Sequence, residues 1–398
     1  MELDLPIDRR DLPPDTYFVG GWVRDALIGR TRAKLDIDFV LPEAPIDVAR
    51  RIATKYRAGF VVLDREREIA RVVLPQGNLD FAKQVGNSLK EDLDRRDFAM
   101  NAIAIAVHAP AEIIDPHNGR GDIASRRVRM ISPENIKADP LRVLRAYRQA
   151  AQLYFTIEAS TKQTIQQVAP LLPQVAMERV RMELGYLLQH STDWFINCIN
   201  DHILSPWLET RRLKLERLKQ IDPTIGLLID RYPSLSNYFK RELIQDHPVA
   251  NIIKYSALVP QGTMLDFLGL SRLETKWANT LLRYLPQIKK AENSDLEQYY
   301  LFDRLGEMLP ALFTLALADG IPLQWFWLDR WLNPHDLLAH PPALISGDDL
   351  KAHLGIKPSP KLGELLRAIR EAQIQQIITD RAGALEFAQQ WWQNIENP

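Results

Sequence analysis

Two hydrophobic textures divide the chain. From Tyr17 to about Ile131, short apolar or alternating runs are separated by turn residues: YFVGG, LDIDFVLPE, FVVLD, IARVVLPQGNLDF, AIAIAVH, EIIDP and VRMI. Runs of this length and period predict strands with a few helices between them. After Asp139 the period lengthens. In DPLRVLRAYRQAAQLYF, residues Leu141, Leu144, Tyr147, Ala151 and Tyr154 recur at helical spacing, and a largely helical remainder follows. Pro170 and Pro173, then Pro223 and Pro233, then NPHDLLAHPPALISGDD punctuate that remainder. The pattern predicts an N-terminal α/β head followed by helical layers.

The strand LDIDFVL carries the first chemical signal. A period of two puts Leu35, Ile37 and Phe39 on one face and Asp36 and Asp38 on the other. Adjacent carboxylates repel, so two of them beside a buried apolar face invite an oxygen-loving divalent cation, magnesium above all. A bare Asp-x-Asp is far more often a solvated strand edge. Upstream, Gly20-Gly21-Trp22-Val23-Arg24-Asp25 reads as a strand end turning into a helix. Glycines permit close backbone approach, and a helix N-terminus beside Arg24 suits a triphosphate, though Gly-Gly alone is more often an ordinary turn.

Composition narrows the classes. At 398 residues, 46% of them hydrophobic, the chain is long enough for two or three domains. It has no run of eighteen apolar residues, and MELDLPIDRRDLPPD is not a secretory leader, so a cytoplasmic location is expected. The single cysteine, Cys198, and eight scattered histidines argue against disulfides and zinc. Net charge is -1, but Arg120, Arg126, Arg127, Arg129, Lys137, Arg142, Arg145 and Arg148 face only Asp122, Glu134 and Asp139 across one stretch. Such local excess can hold phosphates.

GGWVRD, then Asp36 and Asp38, then RRDFAMNAIA together resemble the class II tRNA nucleotidyltransferase and poly(A) polymerase family. Five motifs of that family follow in order between Val19 and Glu183. The resemblance implies an α+β fold: a nucleotidyltransferase head with a mixed or antiparallel sheet and helices (1–131), then an all-α neck that recognises the base (132–190), body (191–300) and tail (301–398). It also implies that Gly20, Gly21 and Arg24 hold the incoming triphosphate while Asp36 and Asp38 bind the catalytic Mg2+. Asp80 falls where relatives often carry another acidic residue. Arg95, Arg96, Asp97 and Asn101 would contact ribose and phosphates. Without the family, the same stretch reads as a helix start with Asp97 as its cap.

Asp139, Arg142 and Arg145 lie in the segment that such enzymes use to select a base without a template. Three apart, Asp139 and Arg142 would share a helical face, a carboxylate accepting from an exocyclic amine and a guanidinium donating to the ring. Cytosine and adenine both carry that amine. The family's usual glutamate is replaced by Ala138. The bland alternative is a capped helix start with Pro140 at its first position. Asp115, Gly119 and Asp122 match a linking motif. Glu178, Arg179 and Glu183 match one that braces the base-reading helix. The aromatic cluster Trp325-Phe326-Trp327 with Trp331 reads as core packing before base stacking.

The resemblance therefore implies an enzyme that adds nucleotides from CTP or ATP to the 3′ end of tRNA, holding the acceptor arm by shape, with pyrophosphate released. Only eleven residues, FAKQVGNSLKE, separate Asp80 from Asp92, where many complete CCA enzymes carry a longer loop. The short form resembles the CC-adding type. The alternatives are complete CCA addition, A addition and poly(A) polymerase. Outside that class stand a non-catalytic RNA-binding protein and a transferase acting on a small-molecule or protein hydroxyl.

Overall fold

The computed structural model describes residues 5–30, 34–110, 112–208, 213–259, 269–288 and 294–396. They fall into two compact units, Met1–Thr210 and Arg211–Pro398, so the expected head and neck lie within one unit.

The first unit is built on a seven-stranded mixed sheet. Its strands are β1 (Tyr17–Val19), β2 (Leu35–Leu41), β3 (Gly59–Asp64), β4 (Ile69–Leu74), β5 (Gly77–Lys83), β6 (Ala104–Ala106) and β7 (Ile113–Ile114). They lie in the order β3-β4-β5-β2-β1-β6-β7. β2 and β5 are parallel, and the other neighbouring pairs are antiparallel. This is the expected α+β head.

Register decides where the chemistry lands. Phe18, Phe39 and Phe81 are cross-strand neighbours, and all three are buried. The Phe18 and Phe39 rings are 5.1 Å apart, and those of Phe39 and Phe81 stack at 4.9 Å. Helix α2 (Pro45–Tyr56) covers this face, packing Val48, Ala49, Ile52 and Ala53 onto Ile37, Leu41, Val72 and Leu79. One residue over, on the opposite face, runs a second row: Val19 opposite Asp38, Asp38 opposite Asp80, Asp80 opposite Arg71, Arg71 opposite Val61. A one-residue slip would exchange the rows and bury the carboxylates. The aromatic row therefore fixes the polar one; truncating Phe39 to alanine should cost about 3–5 kcal/mol.

Helices complete the unit: α1 (Gly20–Ile28) between β1 and β2, α3 (Leu89–Asp94) after β5, α4 (Gly119–Ala124), α5 (Pro133–Ala138), α6 (Arg142–Leu153), α7 (Ala159–Val168), α8 (Met177–His190) and α9 (Thr192–Asn200). The two-residue strands Arg127–Val128 and Thr156–Ile157 pair in parallel, tying the end of the sheet region to the helices that follow.

α6 departs from the sequence reading at both ends. It starts at Arg142, so Asp139 stands outside it in extended backbone (φ -139, ψ 93) as the last residue of the α5 turn. Pro140 keeps the preceding residue out of helical geometry. Asp139 and Arg142 therefore do not share a helical face. At the other end Tyr154 adopts left-handed backbone (φ 57) and is 85% exposed, and Phe155 is buried in its stead.

The second unit is almost wholly helical, from Leu215–Arg231 to Arg381–Glu396. One of its buried helices, Leu309–Ala318, is apolar nearly all round, as a core helix must be. Trp327 is fully buried, and the Trp331 indole donates to the Gly306 carbonyl at 2.9 Å, so those aromatics serve packing. No helix among the described residues is long and apolar enough to cross a membrane.

Candidate active site

An open cleft of about 890 Å3 in the first unit is lined by the start of α1, the polar row of the sheet, Arg96, Asp97 and Asn101 beyond α3, and by α6 and α8. Gly20, Gly21, Arg24, Asp36, Asp38, Asp80, Arg96, Asp97, Asn101, Asp139, Arg142 and Arg145 all line it. Of the residues expected at the site, only Arg95 does not; it is exposed and borders an adjoining cleft.

The strand-to-helix turn is shaped by Gly20. Its φ is +75, which L side chains rarely adopt, and a Cβ there would stand 2.9 Å from Asp38 Oδ2 and 3.5 Å from Arg96 Nη1. Glycine thus lets the α1 backbone approach a carboxylate and a guanidinium together. The N-cap of α1 is Val19, whose apolar side chain caps none of the first amides, an arrangement that suits an anion.

Asp36 and Asp38 point from the same face of β2 into the cleft. A set of two carboxylates fits magnesium, which is commonly held by one or two protein carboxylates with substrate phosphates completing the octahedron. Asp80 lies opposite Asp38, but both its oxygens are taken by Arg71: Nε to Oδ1 and Nη2 to Oδ2, each 2.7 Å. Among the described residues no group of three or more His, Cys, Asp or Glu is placed to hold a metal. Arg71 is raised above its ordinary pKa, first by the bond to Asp80 and further by Asp36 and Asp38.

Beneath the cleft runs a buried polar network. Arg24 is 3% exposed; its Nε and Nη2 donate to Asp25 Oδ1 at 2.9 and 2.7 Å, and Nη1 donates to Asn101 Oδ1 at 2.8 Å. Asn101 Nδ2 donates to Asp97 Oδ1 and to Gln149 Oε1, each at 2.9 Å. Asp97 Oδ2 accepts both Nε and Nη2 of Arg145, and Arg145 and Arg148 reach Glu183 at 3.8 and 2.5 Å. Burial alone would push the Asp97 carboxyl up, but Arg145, Asn101 and the Phe98 amide hold it well below the usual carboxylate range. Arg24, expected to hold phosphate, is therefore committed to the floor of the site. Arg96 is held by Asp92 at 2.9 Å while its Nη1 faces Gly20.

At the rim, Arg142 Nη1 donates to the Arg95 carbonyl at 2.8 Å, and Arg179 meets Asp139 at 3.2 Å. The basic stretch of the sequence is largely spent internally: Arg129 and Arg127 pair with the buried Asp122, at 2.8 and 3.4 Å. Asp115 caps α4 by accepting from the Gly119 and Arg120 amides, and a Cβ on Gly119 would strike the Ala99 carbonyl at 2.2 Å. The linking motif is a close-packing device.

Sequence reasoning missed Arg71, Asp92 and Gln149. Gln149 had a signal, since 142, 145 and 149 follow helical spacing on one face of α6. Arg71 had one only through its register against Asp80, which no local pattern encodes.

Comparison with known proteins agrees with this geometry. Residues 16–129 match the poly A polymerase head domain, and residues 257–388 match the tRNA nucleotidyltransferase domain 2 model. A CC-adding tRNA nucleotidyltransferase of Synechocystis sp. is 40% identical, with 97% of this chain and 96% of that protein covered. A CC-adding tRNA nucleotidyltransferase of Geobacter sulfurreducens is 30% identical over 93% and 90%. The crystal structure of the Bacillus stearothermophilus CCA-adding enzyme in complex with CTP shares the fold, with a TM-score of 0.67 at 24% identity over 96% and 95% of the two chains. On the identity to its Synechocystis relative over nearly the whole length of both, this chain belongs to the tRNA nucleotidyltransferase family.

Proposed function

We propose that this protein adds CC to the 3′ end of tRNA from CTP, without a template and with release of pyrophosphate, using Mg2+. The observation that carries the reading is the juxtaposition in one cleft of a two-carboxylate strand face, a glycine-opened helix start and the arginine-lined face of α6.

In this reading Gly20, Gly21 and Arg96 receive the triphosphate, and Asp139 and Arg142 face the base at the rim. Arg24, Asn101, Asp97, Gln149 and Arg145 hold those elements in place as one hydrogen-bonded floor. Asp36 and Asp38 would hold a divalent cation, which when bound would supply Lewis-acid activation of the terminal hydroxyl and neutralise charge on the pyrophosphate. Arg96 adds a fixed positive charge where negative charge builds on the leaving group.

The CC limit is supported by the segment between β5 and α3. Only Gln84–Ser88 lies outside regular structure, and it is tied down: Gln84 N donates to the Leu41 carbonyl at 2.7 Å, Val85 N to Asp92 Oδ1 at 3.2 Å and Asn87 N to Glu91 Oε2 at 2.9 Å. A short connection held at three points has little reach for reshaping the pocket from C to A. The relatives named above as CC-adding support the same limit.

The test is to incubate the protein with Mg2+ and tRNA transcripts ending before CCA or after CC, with CTP and ATP separately and together, and to sequence the products. Arrest at CC is expected. Complete CCA, a lone final A or a long A tail would each overturn the CC limit, and no incorporation on any RNA would overturn the transferase reading.

A further inference from the structure

The polar row of the sheet continues past the carboxylates into an apolar surface. Val61 stands opposite Arg71 on β3, the edge strand, and Val61, Leu63 and Val73 are 47%, 47% and 42% exposed. Their burial contrasts with that of Val72 and Leu79 on the α2 side, both fully buried, so they belong to the face that carries Asp38. Exposed aliphatic residues gathered at one sheet edge are an aggregation liability unless something uses them.

In-line transfer says what lies there. The attacking and leaving oxygens stand on opposite sides of the phosphorus. Gly20, which follows β1, lies on the β1 side of Asp38 with Arg96 Nη1 beside it, and in this reading the pyrophosphate departs there. The attacking hydroxyl must then arrive from the β5-β4-β3 side. Three strand spacings of about 4.8 Å put the apolar patch about 14 Å from Asp38, within reach of the last nucleotides of a single strand. Arg71, between patch and carboxylates, gives Nε and Nη2 to Asp80 and has Nη1 beyond those two bonds to donate to a phosphodiester oxygen.

We infer that Val61, Leu63 and Val73 form the platform on which the unpaired 3′-terminal bases of the acceptor RNA rest while the terminal hydroxyl reaches Asp36 and Asp38. Apolar contact between aliphatic side chains and a base face does not depend on sequence, which suits a primer whose terminal base differs between the first addition and the second. The inference rests on the RNA-extending reading above.

The experiment compares the full-length protein with the variant Val61→Ser, Leu63→Ser, Val73→Ser on a tRNA transcript ending before CCA. KM for RNA is expected to rise about tenfold (about 1.4 kcal/mol), because the lost contacts are made with primer alone. KM for CTP, and kcat at saturating RNA, should move by no more than about twofold. The melting temperature should hold, since the substituted side chains are exposed. A transcript with 4-thiouridine at its 3′ terminus should crosslink under long-wave light to the peptide spanning β3 in the unsubstituted protein. An unchanged RNA KM in the variant, a crosslink confined to other peptides, or a loss of self-association with RNA kinetics intact would each overturn the platform. Failure of the unsubstituted protein to extend any RNA would instead overturn the reading beneath it.

Discussion

Asp97 and Arg145 share two hydrogen bonds, Nε and Nη2 both donating to Oδ2 at 2.9 and 2.7 Å, with the carboxylate buried and the guanidinium about one-third exposed. The pair joins the RRD segment to α6 and so couples the floor of the cleft to the helix that faces the base. Because the folded-state pKa of Asp97 is depressed, its charge stabilises the fold fully above the unfolded-state value of about 4 and loses that contribution as pH falls through the folded value. Asp97→Asn should therefore lower stability by about 2 kcal/mol at neutral pH, less than for a fully buried pair because Arg145 keeps water contact. Urea denaturation of both proteins should give a gap that is flat from pH 8 to about 5 and narrows below about 4. A gap that widens on acidification would contradict the assignment.

The carboxylates of the polar row should not be equivalent. Asp36→Ala or Asp38→Ala removes an oxygen donor facing the cleft and should reduce incorporation by about 10³-fold, equivalent to about 4 kcal/mol of transition-state stabilisation, with tRNA retention on filters unchanged. Asp80 is held by Arg71, so Asp80→Asn should cost only about tenfold, and Arg71→Gln a similar amount. Single-turnover incorporation across a Mg2+ titration separates the classes. A loss at Asp80 equal to that at Asp38 would make it a third metal ligand.

Gly20→Ala tests the close approach at the start of α1. The new Cβ would meet Asp38 Oδ2 at 2.9 Å in backbone of φ +75, where L residues carry strain of about 1–2 kcal/mol. The adjustment would displace the carboxylate, and a shift near 1 Å at a reacting centre can cost about 10²-fold in rate. Steady-state kinetics should assign the loss to kcat/KM for CTP, with circular dichroism unchanged. Full activity would mean that the turn relaxes away from Asp38.

The period of two in LDIDFVL made the shared face of Asp36 and Asp38 legible, since local alternation is all that a strand face needs. The α+β division was legible because period two gives way to period 3.6 near Asp139. The commitment of Arg24 to Asp25 and Asn101 was not, because a buried ion pair and a phosphate ligand look alike as letters. Nor was the pairing of Arg71 with Asp80, which depends on β4 and β5 lying in register, Ala70 opposite Phe81 on the reverse face. The start of α6 was misplaced because Asp139 and Arg142 sit three apart whether the chain between them is helix or turn. Pro140, which disfavours helical geometry in the residue before it, was the available hint.

Base choice should depend on Arg142 more than on its braces. Its Nη1 is oriented by the Arg95 carbonyl, and Asp139 beside it is steadied by Arg179. Burial draws the guanidinium below its ordinary pKa while Asp97 and Asp139 oppose that shift, and an arginine so placed stays charged across the working range and can only donate. Uracil and guanine carry a carbonyl at C4 and C6, where cytosine and adenine carry the amine that would donate to Asp139, and so present a mismatched edge. Arg142→Ala removes the donor and should reduce the preference for CTP over UTP by about tenfold or more, the size of one lost charge-assisted hydrogen bond. Arg179→Ala, acting only through Asp139, should reduce it less. Competition assays with paired nucleotides measure both ratios directly. A Mg2+ dependence unchanged in either variant would separate base reading from the carboxylates, whereas an unchanged CTP preference in Arg142→Ala would place base selection elsewhere in the cleft.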